Sequence, residues 1–237
     1  MAARIIRSAF TGHFDGGSAP LGLGPLRVTG ACLDEGCHVS TVLDRLDWLQ
    51  VLLVEDRGGA PGLALRQRWR QILQRRADPG TAVQEVLLAM ADAVGSARAD
   101  IAGVGLLRVS PCGSLAEVIN VGLPALVHWH PDEGTSPYEP IGDAALARYR
   151  VLPSEVVQLE EGSALAMLSG GLLSRDAGWG QLATVLRGLG VDPFGGAIAD
   201  MAPRDLADLL ARDCPPADVA PIGVTLVGRA GPARVLA

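Results

Sequence analysis

Apolar residues are grouped along the chain in short runs that stop at turn-forming residues, and the runs fall into two blocks. Residues 25–33 (PLRVTGACL), 38–46 (HVSTVLDRL) and 48–56 (WLQVLLVED) are rich in Val, Thr and Leu and are separated by short breaks. They predict consecutive strands of an antiparallel meander. RIIRSAF at 4–10 predicts a strand ahead of them. GHFDGGSAPLGLG after it predicts a glycine-rich loop, whose Gly22 and Gly24 precede no helix and so form no phosphate cradle. The run LQVLLVED stops abruptly at Asp56 and passes through Gly58 and Gly59, which places a carboxylate at the rim of a sheet.

The period then changes. Leu65, Trp69, Ile72 and Leu73 share one helical face within residues 60–76. Val83, Val86, Leu87, Met90 and Val94 do the same within residues 81–94, after the breaker Asp78-Pro79-Gly80. A second β block follows: IAGVGLLRVSP from Ile101, a turn at Pro111-Cys112-Gly113, then SLAEVINVG, PALVHWH, VVQLEEG and ALAMLSG. Helical spacing returns at Leu182, Leu186 and Leu189 and at Leu206, Leu209 and Leu210, and IGVTLVGRA supplies a closing strand. Strands, two helices, strands, two helices and a last strand do not make a βαβ array. The economical fold is α+β, two antiparallel sheets with helices packed outside them, in a single domain over residues 1–237. Leu52, Val54, Leu65, Trp69, Ile72, Val86, Met90 and Leu226 are the expected core.

Composition narrows the function classes. A formal charge of −6 argues against binding to nucleic acid or an anionic membrane. Arg66, Arg68, Arg70, Arg75 and Arg76 form the only basic cluster, and on a helix they spread over a solvated face. The four cysteines (Cys32, Cys37, Cys112, Cys214) contain no C-x-x-C pair and the N-terminus has no long apolar core, which points to free thiols in a cytoplasmic protein.

The order of these segments, with several local strings, resembles the bacterial serine/threonine phosphatases of the PP2C (PPM) superfamily, nearest to the SpoIIE and RsbX branch. LLVEDRGGAPG stands where that branch has a strand, Gly-Asp, two residues and a glycine-rich turn into a helix. INVGLPALVHW is similar to its NAGHPP turn, LEEGSALAMLSGGLLS to its L-x-x-GD-x-L-x-x-x-TDGL segment, and GVTLVGR to its final DD-x-TLL-x-x-R strand. The resemblance implies a four-layer αββα sandwich. It also implies a phosphatase using two divalent ions, Mn²⁺ or Mg²⁺, which activate a water for attack on phosphorus and are held by carboxylates.

Carried over position by position, the resemblance puts the metal-bridging aspartate at Asp56 and a backbone carbonyl ligand at Arg57. His38 stands where an upstream acidic ligand belongs. Ser169, Gly170 and Gly171 stand at Thr-Asp-Gly, and Ile222 and Gly223 at the closing pair of aspartates. A lone carboxylate does not offset the cost of dehydrating Mg²⁺. The reading is therefore a degenerate domain, a pseudophosphatase with no catalytic residues and no cofactor. Asp56 is its one candidate metal ligand, and Mn²⁺ or Mg²⁺ is expected only if the protein is active. Its role would be to bind a protein in phosphorylation-dependent signalling, a STAS-type antagonist or a switch kinase as the resemblance implies. The alternative is an active phosphoprotein phosphatase with an altered metal shell.

Weaker signals accompany these. His128 and His130 share one face of a strand, the spacing of a two-point metal clip, but no third ligand is fixed and a polar strand end explains them. Asp218 could replace a missing carboxylate only if its proline-rich loop folds inward. Cys32 and Cys37 have His38 as the sole base nearby to make a nucleophilic thiolate. Asp56 could also share an ion with His38, or simply accept hydrogen bonds from the amides of its own glycine turn.

Overall fold

The computed structural model describes residues 21–32, 37–43, 47–56, 71–72, 80–85, 88, 101–123, 125–130, 134–138, 151–170 and 223–229. Within these, the chain forms two sheets. One has five strands in the order β3 (Cys37–Leu43), β4 (Leu49–Asp56), β5 (Ile101–Val109), β6 (Leu115–Val121) and β9 (Glu155–Gln158). The other has six, in the order β1 (Leu21–Leu23), β2 (Leu26–Cys32), β11 (Gly223–Arg229), β10 (Ala164–Leu168), β7 (Ala125–His130) and β8 (Gly134–Tyr138). Every pairing is antiparallel.

Side-chain alternation decides what lies between the sheets. In β4, Leu49, Val51 and Leu53 join Leu107 and Val109 of β5 and Ala116 and Val118 of β6. They pack against Leu26, Val28, Leu126, Leu165, Met167 and Val227 of the other sheet. Residues of opposite parity, among them Leu52, Val54, Val104, Leu106 and Ile119, are also fully buried, so the five-stranded sheet is covered on both faces. Ile72, Ala82 and Val83 are buried residues of helical segments at 71–72 and 80–85. Of the expected core, Leu52, Val54 and Ile72 are buried; Leu65, Trp69, Val86, Met90 and the burial of Leu226 lie outside the described residues.

The expected meander is a different arrangement. β3 and β4 do form a hairpin, from Cys37↔Glu55 to Leu43↔Leu49. β2 does not pair with β3; it joins the other sheet, where its partner is the closing strand β11, with Leu26 opposite Arg229 and Cys32 opposite Gly223. A break such as that between residues 32 and 37 permits either a hairpin or a step to the facing sheet, and only the distant partner strand decides between them. Two short strands also lie where loops read more naturally. β1 folds back on β2 through Gly24, whose φ of 56° suits the tight turn. β8 carries Pro137 and sits at a sheet edge, the place in a sheet that tolerates proline. The strand RIIRSAF and the helices around Leu186 and Leu209 lie outside the described residues.

The turn at Pro111-Cys112-Gly113 is present. Ser110 N donates to Leu115 O at 2.9 Å and Gly113 N to Ser110 O at 2.8 Å, with Gly113 at φ 71°. Between β9 and β10 the chain crosses from one sheet to the other through Gly162 (φ 84°). The end of β11 fastens that crossing: Arg229 N donates to Ser163 O at 2.9 Å, and Arg229 Nη1 to Leu159 O at 2.7 Å.

Candidate functional site

Strand direction collects the predicted residues at one end of the sandwich. In the five-stranded sheet, Asp56 closes β4 with its Cα opposite Ile101, and His38 pairs with Val54 one strand over. In the six-stranded sheet, Ser169 and Gly170 follow the last residue of β10. Gly223 opens the neighbouring β11, where Val224 pairs with Leu168. Arg57, Gly171, Ile222 and Asp218 lie outside the described residues, and His38 and Asp56 are placed by their backbone.

The link between the two groups is Glu55. The parity that puts Leu49, Val51 and Leu53 in the core puts Glu55 there too, and it is 1% exposed. Its cross-strand partner is Gly103, which adds no side chain, and the register slips between Glu55 and Asp56. The Glu55 carboxylate therefore extends along the inner face and across to the other sheet, where Oε2 accepts a hydrogen bond from Gly170 N at 2.7 Å. A carboxylate taken out of water needs such a donor, and a backbone amide beyond a strand end is a strong one.

Glycine at 170 has a steric reason here. A Cβ built on Gly170 falls 2.9 Å from Glu55 Oε1 and 3.2 Å from Oε2. Its neighbours in the site are similarly close-set. A Cβ at Gly103 would meet Leu123 N at 2.6 Å, and one at Gly105 would meet Met167 Sδ at 2.6 Å. Asn120, first residue of the Asn-Val-Gly turn, is 2% exposed and pairs with Gly105, and Gly122 completes that turn at φ 71°. Glu55 and Asn120 were not singled out from the sequence. For Glu55 the signal was there: an acid at inward parity in the run LQVLLVED.

The histidine pair belongs elsewhere. Trp129 pairs with Ala164 at the start of β10, so His128 and His130 lie at the end of the sandwich opposite to Gly170. Their rings meet edge-on at 6.1 Å, and His130 Nε2 lies 3.2 Å from Glu160 Oε2. Among the described residues, no group of three or more His, Cys, Asp or Glu side chains could hold a metal ion. Cys37 and Cys32 are strand-end residues opposite Glu55 and Gly223.

Another polar cluster lies on the outward face of the five-stranded sheet. Arg108 donates from Nη1 to Glu117 Oε2 at 2.9 Å, and its guanidinium lies 4.4 Å from the centre of the Trp48 ring. A planar cation stacked and paired in this way is a strand-to-strand brace.

No family profile matches the sequence, and no curated protein matches it. Solved structures do match in fold. A Mycobacterium tuberculosis structure of RsbU and RsbW domains superposes at a TM-score of 0.65 with 15% identity, over 90% of this chain and 63% of its own. RsbX in complex with magnesium superposes at 0.61 with 13% identity, over 88% of this chain and 97% of its own. The catalytic domain of the serine/threonine phosphatase PstP, in complex with two manganese ions, does so at 0.53 with 16% identity, over 86% of this chain and 98% of its own. The chain thus spans less than two thirds of the RsbU–RsbW structure and almost all of the other two. The fold is thus similar to that of PP2C-type phosphatase domains.

Proposed function

We propose that this PP2C-fold domain is a pseudophosphatase, a protein-binding regulatory module in bacterial phosphorylation-dependent signalling. On this reading helices cover the outer faces of both sheets, completing a four-layer αββα sandwich over residues 1–237. The observation that carries the reading is the contact between Glu55 and Gly170. At the position matched to a ligand aspartate there is no side chain, and the space beside its backbone is filled by a carboxylate already engaged with the amide.

The residues do not fit a pair of divalent ions. Hard cations of this size take about six oxygen ligands each, several of them charged. Asp56 is the only acid that matches a metal-ligand position; His38, Gly170, Ile222 and Gly223 bring one imidazole and no carboxylate. Magnesium and manganese are therefore not assigned to this chain, and no hydrolytic step is routed through them. What remains is a phosphatase-shaped surface suited to holding a protein without dephosphorylating it. A STAS-type antagonist or a switch kinase is the proposed partner, a choice supported by the fold's similarity to RsbU and RsbX. The net charge of −6 speaks against nucleic acid and anionic membranes. Among the described residues no helix is long and apolar enough to cross a bilayer. The proposed compartment is the cytoplasm.

The test compares the wild-type chain with Asp56→Ala in excess Mn²⁺, on aryl phosphates and on a phosphoserine STAS substrate. No turnover by either, with equal binding of the protein partner, is the expected result. Turnover by wild type that Asp56→Ala abolishes overturns the proposal and makes the protein an enzyme with an unusual metal shell.

A further inference from the structure

Glycine is ordinarily kept for one of two reasons, a left-handed backbone or lack of room. Gly170 is not among the glycines with positive φ, which are Gly24, Gly113, Gly122 and Gly162 among the described residues. A left-handed backbone is therefore not what keeps glycine there. The obstacle is one side chain, the Glu55 carboxylate, at 2.9 and 3.2 Å from a Cβ on 170. Because Gly103 opposite Glu55 adds nothing and a Cβ there would meet Leu123 and Gly122, the carboxylate has no vacated room on that side. It is 1% exposed, so it does not swing out to water. Interiors packed at crystal density do not absorb such an overlap freely.

We infer that Glu55 is a cross-sheet strut that obliges residue 170 to be glycine, so that position 55, not position 170, bars a carboxylate from this end of the cleft. The strut runs from the end of β4 to the segment after β10. It ties residues 115 positions apart through a hydrogen bond of 2.7 Å. The inference rests on the reading that the cleft does not work as a two-metal centre, and it has a consequence for any attempt to restore one. Gly170→Asp, alone or with His38→Asp and Gly223→Asp, places its Cβ against Glu55. Such a variant needs Glu55→Gly in addition.

The experiment is a double-mutant cycle on thermal unfolding of the full chain, using Gly170→Ala, Glu55→Gly and the two together, with circular dichroism to check that each variant folds. Alanine adds a Cβ and a change in unfolded-chain entropy that is the same in both backgrounds, so the difference between backgrounds reads how that Cβ meets Glu55. Gly170→Ala should lower the midpoint by about 2–12 °C in the Glu55 chain, and by less than about 2 °C in the Glu55→Gly chain. Additive effects, with Gly170→Ala costing the same in both backgrounds, overturn the inference. A second arm uses MnCl₂ alone with wild type and Glu55→Gln. The amide of Gln keeps an acceptor for Gly170 N while losing the charge. Unchanged midpoints in both support a strut. A wild-type midpoint raised by Mn²⁺, with the rise lost in Glu55→Gln, overturns it, because Glu55 would then be a ligand. These readouts do not involve phosphate release. Turnover by wild type is thus the failure of the proposed function and an additive cycle is the failure of the strut, so the two are told apart.

Discussion

Cys112 sits exposed in the turn between β5 and β6 with hydroxyls on both sides, Ser110 Oγ at 3.4 Å and Ser114 Oγ at 3.0 Å from its sulfur. Donation from Ser110 first, then from Ser114, favours the thiolate and brings the thiol down to about 7. A lowered thiol means more thiolate above that pH, so alkylation of Cys112 by iodoacetamide, followed by peptide mass spectrometry, should reach half its plateau rate near pH 7. Ser110 Oγ also accepts from Leu115 N at 3.1 Å, so Ser114→Ala is the cleaner variant. It should move the half-point upward toward the ordinary thiol range without disturbing the turn. An unchanged half-point would remove Ser114 from the account. The same scale holds the least legible residue of the site. Glu55 lies beside Asp56 in a string whose meaning was drawn from the Asp; its inward parity was readable, but its partner, Gly170 N at 2.7 Å, was not.

At the scale of elements, inner and outer positions carry unequal weight. Leu53 is fully buried between the sheets, and Leu53→Ala should cost about 2–5 kcal/mol in urea unfolding. Val156, on the edge strand β9, is 67% exposed, and Val156→Ser should stay within about 0.5 kcal/mol. Glycines give a finer contrast. A Cβ at Gly105 would meet the tips of Met167 and Leu123 at 2.6 and 2.7 Å, which can rotate, so Gly105→Ala should cost about 1–3 kcal/mol. A Cβ at Gly80 would meet the backbone carbonyl of Leu152, which cannot turn aside, so Gly80→Ala should cost more. The reverse order would mean that the segment near Leu152 yields more easily than the core.

β4, β5, β6, β10 and β11 were legible because each is an apolar run bounded by turn residues, and the run length alone distinguishes them from helices. β1 and β8 were not: LGL is too short to show alternation, and GTSPY contains a proline and no apolar face. The partner of β2 was beyond reach for a different reason. Pairing Leu26 with Arg229 is a property of two distant segments, and no local pattern records it. The end of the sandwich at which Asp56, His38, Gly170 and Gly223 gather followed from the resemblance, whereas the carboxylate crossing between the sheets there did not.

For the whole molecule, the relevant fact is how the sheets are joined. The five-stranded sheet hands the chain to the six-stranded sheet between β9 and β10, and Arg229 fastens that passage by bonds to Leu159 and Ser163. Both sheets also contribute to one core. The two should therefore lose their structure together. In native-state hydrogen exchange, amides of β5 and of β10 should open with the same free energy and the same denaturant dependence. A lower value for β10 would show that the six-stranded sheet opens as a separate unit.

The place of β11 has a further consequence, for the chain while it is being made. All five described strands of one sheet come from residues 37–158, so they can pair with one another before β11 is made. β2 is otherwise situated. β1 covers one of its edges at once, through a local turn, but its other edge belongs to a strand that begins at Gly223. At ordinary rates of translation that partner arrives roughly 10–40 s later. Throughout that interval a seven-residue strand carrying Leu26 and Val28 presents an open ladder to whatever lies nearby. That edge of β2 stays available for a wrong partner until β11 emerges.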